Sequence, residues 1–314
     1  MMENNNLMIK AAKLYYDHNL SKIEIGKKLR ISRFKVANLL DEAIKEGIVT
    51  IDIREPVDTY MDLENSLEDK YKIYRAIVVD WGGDYQAAKK NIGRGAYKCL
   101  ADMAYDRDVI GIAWGTTIFE MIDLMPMLTN KKDLTVVQLT GGLNQVEASY
   151  NAIELASRAA KALNAKCYQL YAPAILDDLK TKETLLEDSN IKRTLDMFAK
   201  VNIAVVGIGS MIPQPSSMLY KEGYFKEEDI REVKKVPAVG DINTFFYDQE
   251  GNPCITELGK RTIGMDISQL KRVRYAMALA GGPFKVDAIH SALTGKIINI
   301  LVTDNQTAET LLKK

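Results

Sequence analysis

Seven short apolar runs constrain this chain more than anything else in it: YRAIVVD (74–80), DVIGIAW (108–114), LTVVQL (134–139), KCYQLYAP (166–173), VNIAVVGIG (201–209), RYAMALA (274–280) and INILVTD (298–304). Each is rich in β-branched or aromatic residues, ends in glycine, an acid or a turn, and is separated from the next by stretches of helical periodicity. Strands that are apolar on both faces are buried on both faces, which argues for a largely parallel sheet with helices packed on either side. The chain has 314 residues, 47% of them hydrophobic, enough to bury such a core and leave a smaller domain besides.

In parallel sheets of this kind ligands bind beyond the carboxyl edge, so the residues that follow each strand are the candidates for a site. Trp114-Gly115-Thr116-Thr117 stops a strand and opens a helix, offering backbone amides, two hydroxyls and a positive helix end to an anion. Ala280-Gly281-Gly282-Pro283-Phe284-Lys285 repeats the arrangement and adds an ammonium group. Gln138-Leu139-Thr140-Gly141-Gly142 and Val206-Gly207-Ile208-Gly209-Ser210 end two further strands, although glycines there also suit close backbone packing. Asp241, in AVGDINTFFYDQEGN, is read as a carboxylate at a strand end that accepts hydrogen bonds from hydroxyls, with capping of a loop as the plainer reading. Anion donors beside one acceptor suit a sugar phosphate better than a nucleotide, and no complete phosphate-loop or dinucleotide fingerprint follows any strand.

The first fifty residues differ in kind. Residues 20–40 hold six basic side chains (Lys22, Lys27, Lys28, Arg30, Arg33, Lys35) against the single acid Glu24, in a chain that otherwise balances 42 Lys and Arg with 42 Asp and Glu. Met8, Ala11, Ala12 and Tyr15 form one apolar face of a first helix. Ser21 and Glu24 make a capping box for a second, and Ser32 caps a third whose stripe is Val36, Leu39, Leu40 and Ala43, closed by Gly47. Two helices joined by a tight turn are a helix-turn-helix, and the charge sits where DNA phosphates would lie. The expected DNA contacts are Ser21, Lys22, Lys27, Lys28, Ser32, Arg33 and Lys35, with Arg33 and Lys35 nearest the base edges. Phe34 is read as a core residue of a slightly rotated helix, the alternative being a thymine-methyl contact. Alternation in IVTIDIR (48–54) suggests a strand that serves as a small wing. The plainer reading of the whole segment is a solvated three-helix bundle.

These features divide the chain into residues 1–56 and 57–314, with a helix over 57–72 acting either as a linker that pairs with another subunit or as a helix packed on its own domain. Glu55 to Lys70 carries six acids against one lysine, so DNA is not expected to touch it. Cys99, Cys167 and Cys254 lack metal-binding spacing, and only His18 and His290 are available to support thiol chemistry, so core cysteines in a reducing cytoplasm are expected. No metal or cofactor is expected. The start MMENNN lacks a signal pattern, and no apolar run is long enough to cross a bilayer.

AAKLYYDHNLSKIEIGKKLRISRFKVANLLDEAIKEGIV, DVIGIAWGTTIFEM, VVQLTGG, YQLYAPAI, IAVVGIG, VGDI, ALAGGPFKVDAIHSALTG and INILVTDNQTA, in this order and spacing, resemble the SorC family of bacterial sugar-responsive transcriptional regulators over essentially the whole chain. The resemblance implies a helix-turn-helix domain joined to a larger Rossmann-like α/β effector domain similar to sugar-phosphate isomerases and deaminases, assembled as a dimer or tetramer on double-stranded operator DNA. It implies an effector site of Gly115, Thr116, Thr117, Gly141, Gly142, Asp241 and Lys285, to which the strand-end reading of the residues themselves adds Gln138. Thr140 stands where deoxyribose-phosphate-responsive relatives have a Schiff-base lysine, so the ligand is expected to bind reversibly. Gly26 replaces a frequent alanine, and Ala37-Asn38 a frequent Ser-Arg, so the operator sequence is not carried over from other members. The expected function is thus a regulator whose DNA binding answers to a phosphorylated sugar. The rival is a sugar-phosphate isomerase with Asp241 as base and Lys285 as phosphate anchor, disfavoured because no acid and base pair assembles from the strand-end residues.

Overall fold

The computed structural model describes residues 2–49, 59–125, 131–143, 150–212 and 225–314, which fall into two compact units, Met1–Pro56 and Val57–Lys314. In the first unit, α1 (Met2–Tyr16), α2 (Lys22–Leu29) and α3 (Arg33–Lys45) enclose a core of Met8, Ala11, Ala12, Leu14, Ile25, Val36, Leu39, Leu40 and Ala43. Ser21 accepts from the Glu24 amide while Glu24 accepts from the Ser21 amide, completing the capping box; that carboxyl is held below its ordinary range by its hydrogen bonds to Ser21. Arg30 turns the chain in the left-handed region (φ 56) and donates to Gly26 O, after which Ser32 accepts from the Lys35 amide at 3.1 Å. A side chain at Gly26 would meet Ile31 O at 2.8 Å, which explains glycine where alanine is frequent: this turn folds tightly back on α2. Gly47, at φ 70, ends α3. The wing expected over residues 48–54 lies largely outside the described residues.

In the second unit all seven runs are strands of one parallel sheet: β1 (Arg75–Val79), β2 (Val109–Ile112), β3 (Thr135–Gln138), β4 (Lys166–Tyr168), β5 (Ile203–Gly207), β9 (Tyr275–Leu279) and β10 (Ile300–Asp304). Their order is β1-β10-β9-β5-β2-β3-β4. The chain steps outward from β2 through β3 to β4, then returns to lay β5 on the other side of β2, which makes the β2/β5 junction the point where the winding reverses. A second, antiparallel sheet of β6 (Gly209–Ser210), β7 (Gly240–Ile242) and β8 (Phe245–Tyr247) rises from the end of β5, its hairpin turned by Asn243 and Thr244 at positive φ.

Helices α4 (Met61–Tyr71), α5 (Tyr85–Met103), α6 (Thr116–Asp123) and α7 (Ala152–Ala162) pack against the large sheet and one another. Of the two readings of the 57–72 segment, the described part follows the second. Leu67 and Tyr71 are buried in the core of this unit, Lys70 Nζ donates to the carbonyls of Leu311 and Leu312, and the Tyr71 hydroxyl meets His290 and Leu311 O. Glu64 and Glu68, one turn apart, accept from the amides of Val78 and Ala76 and so close the outer edge of β1. Cys99 is buried, Cys254 partly so and Cys167 exposed. No described helix is long and apolar enough to cross a membrane.

Candidate functional site

A cleft of about 210 Å³ opens at the β2/β5 reversal, bordered by Trp114 to Ile118 after β2, Gly207 to Gly209 after β5, and Phe284 and Lys285 after β9. This is smaller than the roughly 300–1,000 Å³ of sites for drug-sized ligands. At its floor α6 begins with Gly115 (φ 140, ψ 156) as the N-cap and with no side chain capping it, so glycine rather than Thr116 makes the turn. The first amides of a helix have no intrahelical partner and sit at its positive end, a ready site for an oxyanion.

Lys285 enters from the opposite wall. Gly282 (φ 100) permits the turn that delivers it, and Asp304 at the end of β10 pins that turn by accepting from Gly282 N at 2.9 Å and from Thr307 N at 2.8 Å. Lys285 Nζ donates to Ile208 O at 2.7 Å. Burial pulls its ammonium down to about 8, with the Asp241 charge opposing that shift.

Asp241 corrects one expectation: it stands within β7 of the small sheet, paired with Gly209 and Phe246, not at the end of a large-sheet strand. Only 5% exposed, its Oδ1 has no partner, and burial pushes the carboxyl up to about 6 against the Lys285 charge and the Thr244 amide. A side chain on Gly209 would lie 2.0 Å from that oxygen, so glycine is the residue that leaves the carboxylate its place. An unpaired carboxylate oxygen in a buried site is costly, so this one calls for a donor from a bound molecule or an ordered water.

Of the expected effector residues, the structure thus brings Gly115, Thr116, Thr117, Asp241 and Lys285 to one cleft. Gln138, Gly141 and Gly142 do not border it. Gln138 is buried, donating to Thr140 O and accepting from Leu170 N. Gly141 lies so close to Pro173 and Ala174 that a side chain would meet their backbone at 2.5 Å, and Gly142 exchanges hydrogen bonds with Ala172 and Ala174. These three residues join loops to each other. Tyr85 and Lys89 of α5 and Asn243 of the hairpin complete the cleft, with Phe284 edge-on to Tyr85 at 5.0 Å and Lys89 Nζ 5.3 Å from the Tyr85 ring centre. Among the described residues no three His, Cys, Asp or Glu side chains gather as a metal site.

The expected DNA residues sit together on α2, α3 and their caps, all exposed. Ser21 and Ser32 use their hydroxyls as helix caps. Phe34 is not core: it is 68% exposed, with the Arg33 guanidinium carbon 4.9 Å from its ring centre.

Fold and cleft together define an α/β domain with a cleft at its switch point, preceded by a small helical unit, and relatives that match nearly the whole chain are named as regulators. The "Putative sugar-binding domain" family matches residues 55–313. The deoxyribonucleoside regulator of Bacillus subtilis is 33% identical over 99% of this chain and 98% of its own length. The sorbitol operon regulator of Klebsiella pneumoniae is 27% identical over 99% of this chain and its whole length. The crystal structure of that full-length regulator, SorC, superposes with a TM-score of 0.76 at 28% identity, covering 98% of each chain. The chain belongs to the SorC family of sugar-binding transcriptional regulators.

Proposed function

We propose that the protein binds operator DNA through α2 and α3, and that a phosphorylated sugar held reversibly in the β2/β5 cleft controls that binding. The observation that carries this reading is the buried Asp241 Oδ1, unpartnered, sharing one cleft with the Lys285 ammonium and the uncapped start of α6. The helix end, with Thr116, Thr117 and Lys285, takes the phosphate, and Lys89 adds positive charge to the same cleft. Asp241 and Asn243 take sugar hydroxyls. The names of the relatives, a sorbitol operon regulator and a deoxyribonucleoside regulator, support a small hydroxyl-bearing ligand. Control requires that the ligand bind two subunit arrangements unequally, in a dimer or tetramer whose recognition helices are spaced differently in each. The protein acts in the cytoplasm.

A thermal-unfolding screen of sugar phosphates beside their unphosphorylated parents tests this. Stabilisation by a phosphorylated sugar and not by its parent supports it; no stabilisation by any sugar phosphate, or stabilisation independent of the phosphate, refutes it. One observation favours a second reading, because Asp241 at about 6 and Lys285 at about 8 are poised for acid–base work near neutral pH. Turnover of a stabilising sugar phosphate would make the protein an isomerase.

A further inference from the structure

At about 100° per residue along α3, the buried Val36, Leu39, Leu40 and Ala43 define an inward direction, and Phe34 points almost diametrically away from it. Asn38 follows one turn later on the same outward ridge, also exposed. The ridge therefore begins with an aromatic ring, which costs the folded protein exposed apolar surface and contributes nothing to the core of the unit. Arg33 lies over that ring at 4.9 Å. Held there by cation–π attraction, a guanidinium is pre-oriented alongside the ring instead of sweeping through solvent.

The surroundings select the occupant of this surface. Lys22, Lys27, Lys28, Arg33 and Lys35 are all exposed on the same small unit, so a partner must be polyanionic and must still offer an apolar contact to the ring. The major groove of DNA supplies both: phosphates on its walls, and the thymine 5-methyl as the one apolar group among its base edges. We infer that Phe34 is a specificity-determining residue that packs on a thymine methyl, while the Arg33 held against it reads the adjacent base pair as a guanine contact. This rests on the proposal that operator DNA is bound through α2 and α3, and it adds that α3 lies in the major groove and which bases it reads there: thymine next to guanine in each half-site.

The test uses the full-length protein and a randomised duplex pool. Selection with the wild type should enrich a motif with thymine beside guanine at one fixed step, and the F34A protein should lose the thymine preference there while R33A loses the guanine. Phe34 is exposed, so F34A leaves the fold intact. Deoxyuridine in place of that thymine removes only the methyl group and should weaken wild-type binding about fourfold per half-site, the factor for one buried methyl-sized group, with no effect on F34A. An unchanged motif with F34A, or equal wild-type affinity for the thymine and uracil duplexes, overturns the inference. So does an F34A protein whose subunit assembly changes while its base preference does not. If no sequence is enriched and no duplex is held at low salt, DNA binding by α3 itself fails, a result distinct from a motif that ignores position 34.

Discussion

Replacing Asp241 with Asn is the most informative single change in the cleft. Burial raises this carboxyl from 3.8 to about 6. Between about pH 4 and pH 6 the native side chain therefore holds a proton that the unfolded chain has released. Native stability falls as pH rises across that interval and stays level with respect to this group above it. The total is about 3 kcal/mol. Asn keeps the shape and removes the titration. The attraction between the ionised carboxylate and Lys285, which stays protonated throughout the interval, is already contained in the value of about 6, so its loss in the variant adds nothing further to the difference. The ligand-free D241N protein should gain about 2 kcal/mol of that total on the wild type between pH 4 and pH 6.5, read as the difference in urea-unfolding free energies. With a stabilising sugar phosphate present, the variant should lose the charged acceptor and about 1.5–3 kcal/mol of ligand-induced stabilisation. A stability difference that does not change with pH would mean that Asp241 ionises as it would in water, and the account of it as a buried acceptor waiting for a ligand would be wrong.

Lys285 titrates from the other side. It is charged below about 8, so affinity for a phosphorylated ligand should fall as pH rises through 8 to 9, and K285M should bind weakly with no such step; calorimetry across that range checks both. In α5, a side chain on Gly93 would meet the backbone of Glu120 and Met121 at 2.7 Å, so G93A should separate α5 from α6 and cost about 1–3 kcal/mol in denaturant unfolding. Removing both carboxylates that cover β1, in E64A/E68A, exposes the Ala76 and Val78 amides; light scattering should show faster association through that edge, and preserved solubility with unchanged stability would refute the role.

The five inner strands were legible because they are buried on both faces, leaving an unbroken apolar run that ends where the chain must turn, whereas the edge strands β1 and β4 are half-buried or exposed on part of their length. Part of the cleft was legible for a related reason: Gly115 and Lys285 lie in the turns that follow their strands, so sequence position fixes their place at the sheet edge. Glycine alone misled at Gly141 and Gly142, because tight approach to a ligand and tight approach to Pro173 make the same demand on a residue. Asp241 lies in an element the sequence does not place, since three-residue strands such as β7 carry too little periodicity. Tyr85 and Lys89 had no local signal; they lie on α5, and only tertiary packing brings them to the cleft. Phe34 departs from the core position expected of it because the buried Val36, Leu39, Leu40 and Ala43 fix the rotation of α3 and leave position 34 on the outward face.

The central claim, that one small anionic metabolite governs the grip of α2 and α3 on a duplex, is tested most directly by fluorescence anisotropy of a labelled, selected duplex, titrated with protein at several salt concentrations with and without the stabilising sugar phosphate. Without ligand, log K should fall linearly with log salt, with a slope of about −0.9 per phosphate neutralised, and at any fixed salt the sugar phosphate should move the binding curve. Curves that superimpose with and without a ligand known to stabilise the protein, or no duplex binding at low ionic strength under either condition, would contradict the account.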